Sequence, residues 1–340
     1  MNIKKDISLR PYNTFKIDVK AKYFYKFRYV TDLQIIFSNK KLRSLNSLIL
    51  GSGSNMLLVH NYEGIVLKNE LKGITVTKID REYTFVNVQG GENWHQFVLW
   101  SLDNNLGGVE NLSLIPGTVG AAPIQNIGAY GVELKDVFYE LTAFNTKTHQ
   151  VETFSLEQCE FGYRDSIFKS KVKGQYIILS VTFKLTNKHH FINDNYGAIK
   201  EVLNSKKIAE PTIHDISKAV IEIRSSKLPN PDEIGNSGSF FKNPEIELSD
   251  YNKLKESFPN IVSYHLPNGK IKIPAGWLIE QCGWKGKRIG DAGSYAKQAL
   301  VLVNYGDATG QEIWNLALAI QESVKTKFGI DITPEVNVIR

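Results

Sequence analysis

Short apolar runs broken by turn residues fill residues 1–70. Leu48-Ile49-Leu50 leads into Gly51-Ser52-Gly53-Ser54-Asn55 and then Met56-Leu57-Leu58-Val59, which predicts strand, tight turn, strand. Trp94, Phe97, Val98 and Leu102 recur at helical spacing, with Asn104-Asn105 as the stop. Residues 85–88, 137–144 and 176–185 are rich in β-branched and aromatic side chains and predict strands. A helix over 216–227 is expected, with Asp215 as cap, Ile216, Ala219, Val220 and Ile223 on one face and Pro229 as terminator.

Beyond residue 230 the texture changes. Helical patterns at 251–258, 275–282 (after Pro274) and 311–328 alternate with strands at 300–303 and around 335–339. The last helix places Ile313, Leu316, Ala317, Ile320 and Val324 on one face and stops at Gly329. The expected class is α+β, in three parts at 1–70, 71–215 and 216–340, with the C-terminal tail returning to the first.

Composition narrows the function classes. A length of 340 residues favours more than one core, and 42% hydrophobic with 22% charged residues is an ordinary globular balance. The N-terminus has no signal-peptide core, and no stretch reaches the ~18–20 apolar residues of a membrane helix, so the cytoplasm is expected. Cys159 and Cys282 form no C-x-x-C pair and read as small apolar residues, while the seven histidines show no ligand spacing. No metal is expected. A net charge of +6 favours anionic partners, but Lys and Arg are scattered and make no aromatic-interleaved platform for nucleic acid.

Four stretches have compositions that folding alone explains poorly. The 51–55 loop offers bare backbone and hydroxyls that could cradle a pyrophosphate, although an ordinary turn has the same letters. It is not the dinucleotide fingerprint, because Met56 stands where that motif needs glycine. Residues 115–131, Ile-Pro-Gly-Thr-Val-Gly-Ala-Ala-Pro-Ile-Gln-Asn-Ile-Gly-Ala-Tyr-Gly, expose backbone to something flat or anionic, or form a buried irregular crossing. Gly162-Tyr163-Arg164-Asp165-Ser166 sets an arginine among turn residues, commonly a surface ion pair. Asn236-Ser237-Gly238-Ser239-Phe240-Phe241-Lys242-Asn243-Pro244 holds a serine beside two aromatics, with no His–Asp partnership visible and a turn before a strand as the plain alternative.

In this order, from Asn13-Thr14-Phe15 to Pro334-Glu335-Val336, these stretches resemble the UDP-N-acetylenolpyruvoylglucosamine reductases of bacterial peptidoglycan synthesis. The resemblance implies a vanillyl-alcohol-oxidase-type FAD-binding region of two α+β subdomains plus a substrate domain. It implies that Gly51, Ser52, Gly53, Ser54 and Asn55 hold the pyrophosphate of non-covalent FAD. Gly120, Ala121, Gln125, Asn126 and Gly128 would line the flavin. The loop Asn193-Asp194-Asn195-Tyr196-Gly197 matches the branch with a tyrosine over the substrate. Tyr163, Tyr196, Lys227, Asn243 and Gln298 would contact the UDP-sugar, and Lys227 lies twelve residues before Ser239 as that pattern requires.

The implied chemistry is that NADPH reduces the flavin and leaves, and the enolpyruvyl ether then takes hydride at C3. Arg164 would meet the charge spreading into the carboxylate, Ser239 would protonate C2, and Glu335 would orient or protonate the carboxylate. The expected partners are the UDP-sugar and NADPH, with neither nucleic acid nor membrane, and the chain is expected to act as a monomer. Where relatives commonly carry histidine shortly before Gln298, this chain has Tyr295. An oxidase on the same fold with covalent flavin is the nearest rival, but neither glycine-rich stretch contains a histidine. A basic nucleic-acid-binding protein would be colourless where a flavoprotein is yellow.

Overall fold

The computed structural model describes residues 2–340, which divide into two compact units. The first takes Ala21–Ser52 and Glu63–Ser226 with the N-terminal segment through Ile7, and the second takes Ser8–Lys20, Gly53–Tyr62 and Lys227–Arg340.

The first unit begins with a four-stranded sheet in the order Lys4–Ser8, Lys20–Phe27, Tyr62–Asn69, Ser47–Leu50. Ser47–Leu50 and Tyr62–Asn69 run parallel, Leu50 opposite Lys68. A parallel pair is covered on its faces, so Ile65, Val66 and Leu67 form one continuous buried run. The helix Val30–Ser38 lays Leu33, Ile36 and Phe37 into this core. The strand Ser47–Leu50 and the strand Met56–Leu58 follow one turn as expected, but they enter different sheets.

A five-stranded antiparallel sheet follows, in the order Val151–Ser155, Phe138–Asn145, Tyr176–Thr186, Tyr83–Gln89, Ile74–Ile79. Its central strand Tyr176–Thr186 is buried almost throughout. The helix Trp94–Asp103 packs on it, with Phe97 and Phe183 rings 4.6 Å apart. The helices Gly197–Ser205 and Ile213–Lys227 share a small core of Ile199, Leu203, Ile216, Ala219, Val220 and Ile223. The second of these helices starts three residues before the expected position. Asp215 lies inside the first turn and accepts from the Thr212 N–H at 3.0 Å, while Thr212 Oγ1 accepts from the Asp215 N–H at 3.3 Å. The pair forms a reciprocal capping box, so Asp215 is not itself the cap.

The second unit has a four-stranded sheet in the order Gly235–Ser239, Gln298–Asn304, Ala292–Tyr295, Arg288–Ile289. The helix Gly310–Phe328 carries the expected apolar face, begins with a Thr309–Glu312 capping box and ends at Gly329 with φ 67°. The terminal strand begins at Asn337 and pairs in parallel with Met56–Leu58, leaving Glu335 in the bend before it.

No helix among the described residues is long and apolar enough to cross a membrane. Cys159 is fully buried, and burial, with a smaller push from Glu157, raises its thiol to about 12. Cys282 is half-buried.

Candidate active site

The 51–55 loop crosses from the first unit to the second after Ser52. Its two glycines are required for different reasons. A Cβ on Gly51 would stand 2.5 Å from Thr118 Oγ1. Gly53 has φ 67°, and a Cβ there would fall on the carbonyl oxygen of Tyr12. The loop's carbonyls turn inward: Gly53 O accepts from the Thr14 N–H at 3.2 Å, and Asn55 O accepts from the Asn337 N–H at 3.1 Å.

Thr118 belongs to the second glycine-rich stretch, where Val119–Gln125 forms a 3₁₀ turn around Pro123. A Cβ on Gly120 would lie 3.0 Å from the Gly90 Cα, so two backbones touch there. The turn ends at Asn126, buried and left-handed at φ 42°. Its side chain is a hub: Nδ2 donates to Glu133 Oε2 at 3.1 Å and to Gly162 O at 3.0 Å, and Oδ1 accepts from the Lys135 N–H at 3.1 Å. Ser166 Oγ donates to Ile124 O at 2.7 Å.

These bonds hold the 162–166 turn against the glycine-rich stretch and aim Arg164. Arg164 has φ 53°, is half-buried, donates to the carbonyl of Gly128, and lies 5.5 Å from the ring centre of Tyr163. A Cβ on Gly128 would stand 2.9 Å from Arg164 Nη1, so the glycine makes room for the guanidinium. Arg164, Tyr163, Gln125, Asn126 and Gly128 are thus assembled in one unit. Arg164 donates to the backbone carbonyls of Gly128 and Asn126.

Tyr196 opens the helix Gly197–Ser205 and is half exposed, its ring edge-on to Tyr130 at 5.1 Å. Asn111 Nδ2 donates to Tyr130 O at 3.1 Å and to Asn193 O at 2.9 Å, stitching the tyrosine loop to the glycine-rich stretch. Three residues here lie outside the sequence expectations: Tyr130, Arg224 and His95. The Arg224 guanidinium lies beside the Tyr130 hydroxyl. His95 Nδ1 accepts from the Leu114 N–H at 3.0 Å, and burial together with the Arg224 charge holds its pKa below the usual value. The available signal was an arginine four residues after Val220 and beside Ile223, on the buried face of its helix.

In the second unit Ser239 lies within the edge strand Gly235–Ser239 and not in a turn before a strand. Asn236 stands opposite Val303 but Ser239 opposite Val301, so three residues step past two. That is a β-bulge, and Gly238 absorbs it at φ 68° while its N–H donates to Asn236 Oδ1 at 3.0 Å. Ser239 is exposed, whereas Phe240 and Phe241 behind it are completely buried and fix the backbone. The Glu335 N–H donates to Phe240 O at 2.8 Å, and Lys242 N–H donates to Thr333 O at 2.9 Å. Ser239 and Glu335 therefore sit on neighbouring backbones.

Asn243 Oδ1 accepts from the Ala275 N–H at 2.9 Å, capping the helix Ala275–Gln281 where Pro274 offers no side-chain acceptor. A Cβ on Gly276 of this helix would lie 3.0 Å from Gln298 Oε1, so Asn243 and Gln298 meet at one helix end. Tyr295 pairs directly across from Gln298. Lys227 is the exposed last residue of the helix Ile213–Lys227.

A family model described as UDP-N-acetylenolpyruvoylglucosamine reductase, C-terminal domain, matches residues 230–339, and one described as FAD binding domain matches residues 26–153. The chain is 52% identical over 339 residues to the UDP-N-acetylenolpyruvoylglucosamine reductase of Flavobacterium johnsoniae, spanning 100% of both chains. It is 44% identical over 338 residues to the protein of the same name from Pseudomonas aeruginosa, covering 99% of each. Among solved structures it resembles UDP-N-acetylenolpyruvylglucosamine reductase from Thermus caldophilus, with a TM-score of 0.69 and 100% of both chains covered. At 21% identity that likeness bears on the fold alone.

Proposed function

The chain belongs to the UDP-N-acetylenolpyruvoylglucosamine reductase family, and from that premise we propose how its own residues divide the work. It is an FAD oxidoreductase that reduces the enolpyruvyl group of the UDP-sugar in peptidoglycan precursor synthesis. Bound FAD, once reduced by NADPH, supplies the hydride that ends at C3. Side chains at Gly51, Gly53 and Gly120 would press into Thr118, Tyr12 and Gly90, so these glycines keep both stretches closely packed within the chain, and the FAD binding domain match over residues 26–153 supports a flavin beside them. Gly51, Ser52, Gly53, Ser54 and Asn55 hold the pyrophosphate, and Gly120, Ala121, Gln125, Asn126 and Gly128 line the flavin.

Arg164 takes the substrate carboxylate, into which charge spreads as C3 gains hydride. Its charge is in place beforehand, because the backbone of Gly128 and the Asn126 hub already fix the guanidinium. Ser239 protonates C2, completing the addition of one hydride and one proton across the double bond. The enolate-like intermediate is a strong base, so a hydroxyl held in position suffices as its acid. Its exposed hydroxyl recovers a proton from water. Glu335 hydrogen-bonds near the carboxylate, and Tyr163, Tyr196, Lys227, Asn243 and Gln298 bind the UDP-sugar.

The observation that carries this reading is the bulge at Gly238, which lifts Ser239 off a regular edge strand while Phe240 ties that strand to Glu335. Ser239→Ala tests it in two half-reactions followed by flavin absorbance. Reduction by NADPH should stay near the wild-type rate, and reoxidation by the enolpyruvyl substrate should fall roughly 10²–10⁴-fold, the usual worth of a general acid. Equal losses in both halves would make Ser239 a structural residue.

A further inference from the structure

Arg224, in the first unit, has no counter-ion among the described residues. Arg224 projects from the buried face of the helix Ile213–Lys227, and its Nε is shut off from solvent with no hydrogen-bond partner among the described residues. The Tyr130 hydroxyl lies beside the guanidinium, but a phenol does not neutralise a cation. Other charges in this unit are matched, for example Glu70 with Lys26 at 2.8 Å and Arg28 at 3.0 Å, and Glu92 with Lys72 at 3.1 Å. A partly buried charge with a shut-off, unfilled donor destabilises a folded chain. A ligand that delivers an anionic oxygen removes that cost.

The surroundings say where such a ligand lies. Tyr130 is the last residue but one of the 115–131 stretch assigned to the flavin lining, its backbone is strained at φ 51°, and its ring meets Tyr196 of the substrate loop. We propose that Arg224 is a further anion-binding residue of this reductase, that its partner is an anionic oxygen of bound FAD or of the UDP-sugar, and that Tyr130 is the positioning residue that aims it. The proposal rests on the reductase reading. The FAD source is the pyrimidine edge of the reduced ring, where the hydroquinone anion concentrates its charge. The UDP-sugar source is a diphosphate or carboxylate oxygen. Strain at Tyr130 is consistent with a residue held in place by function.

The test uses the FAD-loaded protein and three variants, Arg224→Met, Arg224→Lys and Tyr130→Phe. The midpoint potential is measured by dye equilibration, and the dissociation constant of UDP-N-acetylmuramate, which carries both the diphosphate and a carboxylate, by titration. If the flavin is the partner, Arg224→Met lowers the ratio of reduced-FAD to oxidised-FAD binding at least tenfold, a drop of about 30 mV for a two-electron couple. If the UDP-sugar is the partner, the potential holds and the dissociation constant rises at least tenfold. Arg224→Lys should recover part of either loss, and Tyr130→Phe should show a smaller loss in the same quantity.

Wild-type values of both quantities in Arg224→Met overturn the proposal. Should Arg224→Met not retain FAD, wild-type values in both Arg224→Lys and Tyr130→Phe overturn it equally. Failure of the reductase reading is distinct: the wild type itself would then carry no FAD or leave the enolpyruvyl substrate unreduced.

Discussion

The two halves of the proposed chemistry are built in opposite ways. In the first unit the working segments run through non-glycine residues in the left-handed region: Leu114 at φ 58°, Asn126 at 42°, Tyr130 at 51° and Arg164 at 53°. Each such residue costs on the order of 1–2 kcal/mol, which the surrounding contacts must offset. In the second unit Ser239 rides on a strand, Glu335 lies in a bend bonded to Phe240 of that strand, and the bulge at Ser239 is assigned to a glycine, Gly238. Flavin and carboxylate contacts need backbone bent away from any ladder, whereas a proton donor needs only one lifted side chain. The first unit should therefore be sensitive to its hydrogen-bond hubs, and the second chiefly to the chemistry of the residues it displays.

The largest effect expected from the first unit is at Arg164. Arg164→Lys keeps a charge but loses the fork, and the bond to Gly128 O that aims it. Reoxidation of reduced flavin by the enolpyruvyl substrate should slow roughly 10²–10³-fold, comparable to losing one preorganised donor to a developing oxyanion. An unchanged rate would remove Arg164 from that role and leave the irregular segments without a chemical reason.

Next in size is the hub. Asn126→Ala leaves Gly162 O, Glu133 Oε2 and the Lys135 N–H without their partner. At about 1 kcal/mol for each bond the loss is about 3 kcal/mol, with alanine's left-handed strain in addition. Asn126→Gly loses the same bonds without the strain and should be about 1 kcal/mol milder. Urea midpoints of the two variants measure the difference. Equal midpoints would mean that the φ of Asn126 carries no strain.

Gly238→Ala is the matching change in the second unit. No atom lies within 4 Å of a Cβ there, so only the φ of 68° opposes it. The expected cost is about 1–2 kcal/mol. The substrate half-reaction should weaken as the bulge relaxes, with FAD content unchanged. A loss of FAD would show that the bulge supports more than Ser239.

How much of this was legible varies with the kind of signal. The 51–55 and 115–131 stretches announced themselves because close backbone approach demands missing side chains, and glycine is the letter for that. Gly128 making room for Arg164 is the same signal read across 36 positions. The Ser239 bulge was not legible, because register depends on the partner strand: the letters Ser-Gly-Ser fit a turn as well as a bulge. The start of the Ile213–Lys227 helix was missed for a local reason, since Thr212 and Asp215 both suit a cap and only their reciprocal bonds decide. His95, Leu114, Tyr130 and Arg224 come together only in three dimensions, from four separate elements. Arg224 alone left a trace, as a charge on an apolar face.

The smallest expected effect probes whether the irregular half also stores electrostatic cost. Glu110 is 2% exposed, and burial raises its pKa above the ordinary 4.5, opposed by bonds to its carboxylate from its own backbone and those of Gly108 and Val109. The Gly108 N–H donates to Oε2 at 2.6 Å. A raised carboxyl pKa means the folded chain holds the proton more tightly than the unfolded one. Stability from this group is complete below pH 4.5 and is lost as pH rises through the folded-state value. Glu110→Gln keeps an acceptor for Gly108 but cannot ionise, so it should match wild type at pH 4 and melt a few degrees higher at pH 8. A wild type that instead melted higher than the variant at pH 8, with the two converging in acid, would mean that the backbone bonds outweigh burial. Glu110 would then be a net anchor of the strained segment, and the contrast between the two units would rest on geometry alone.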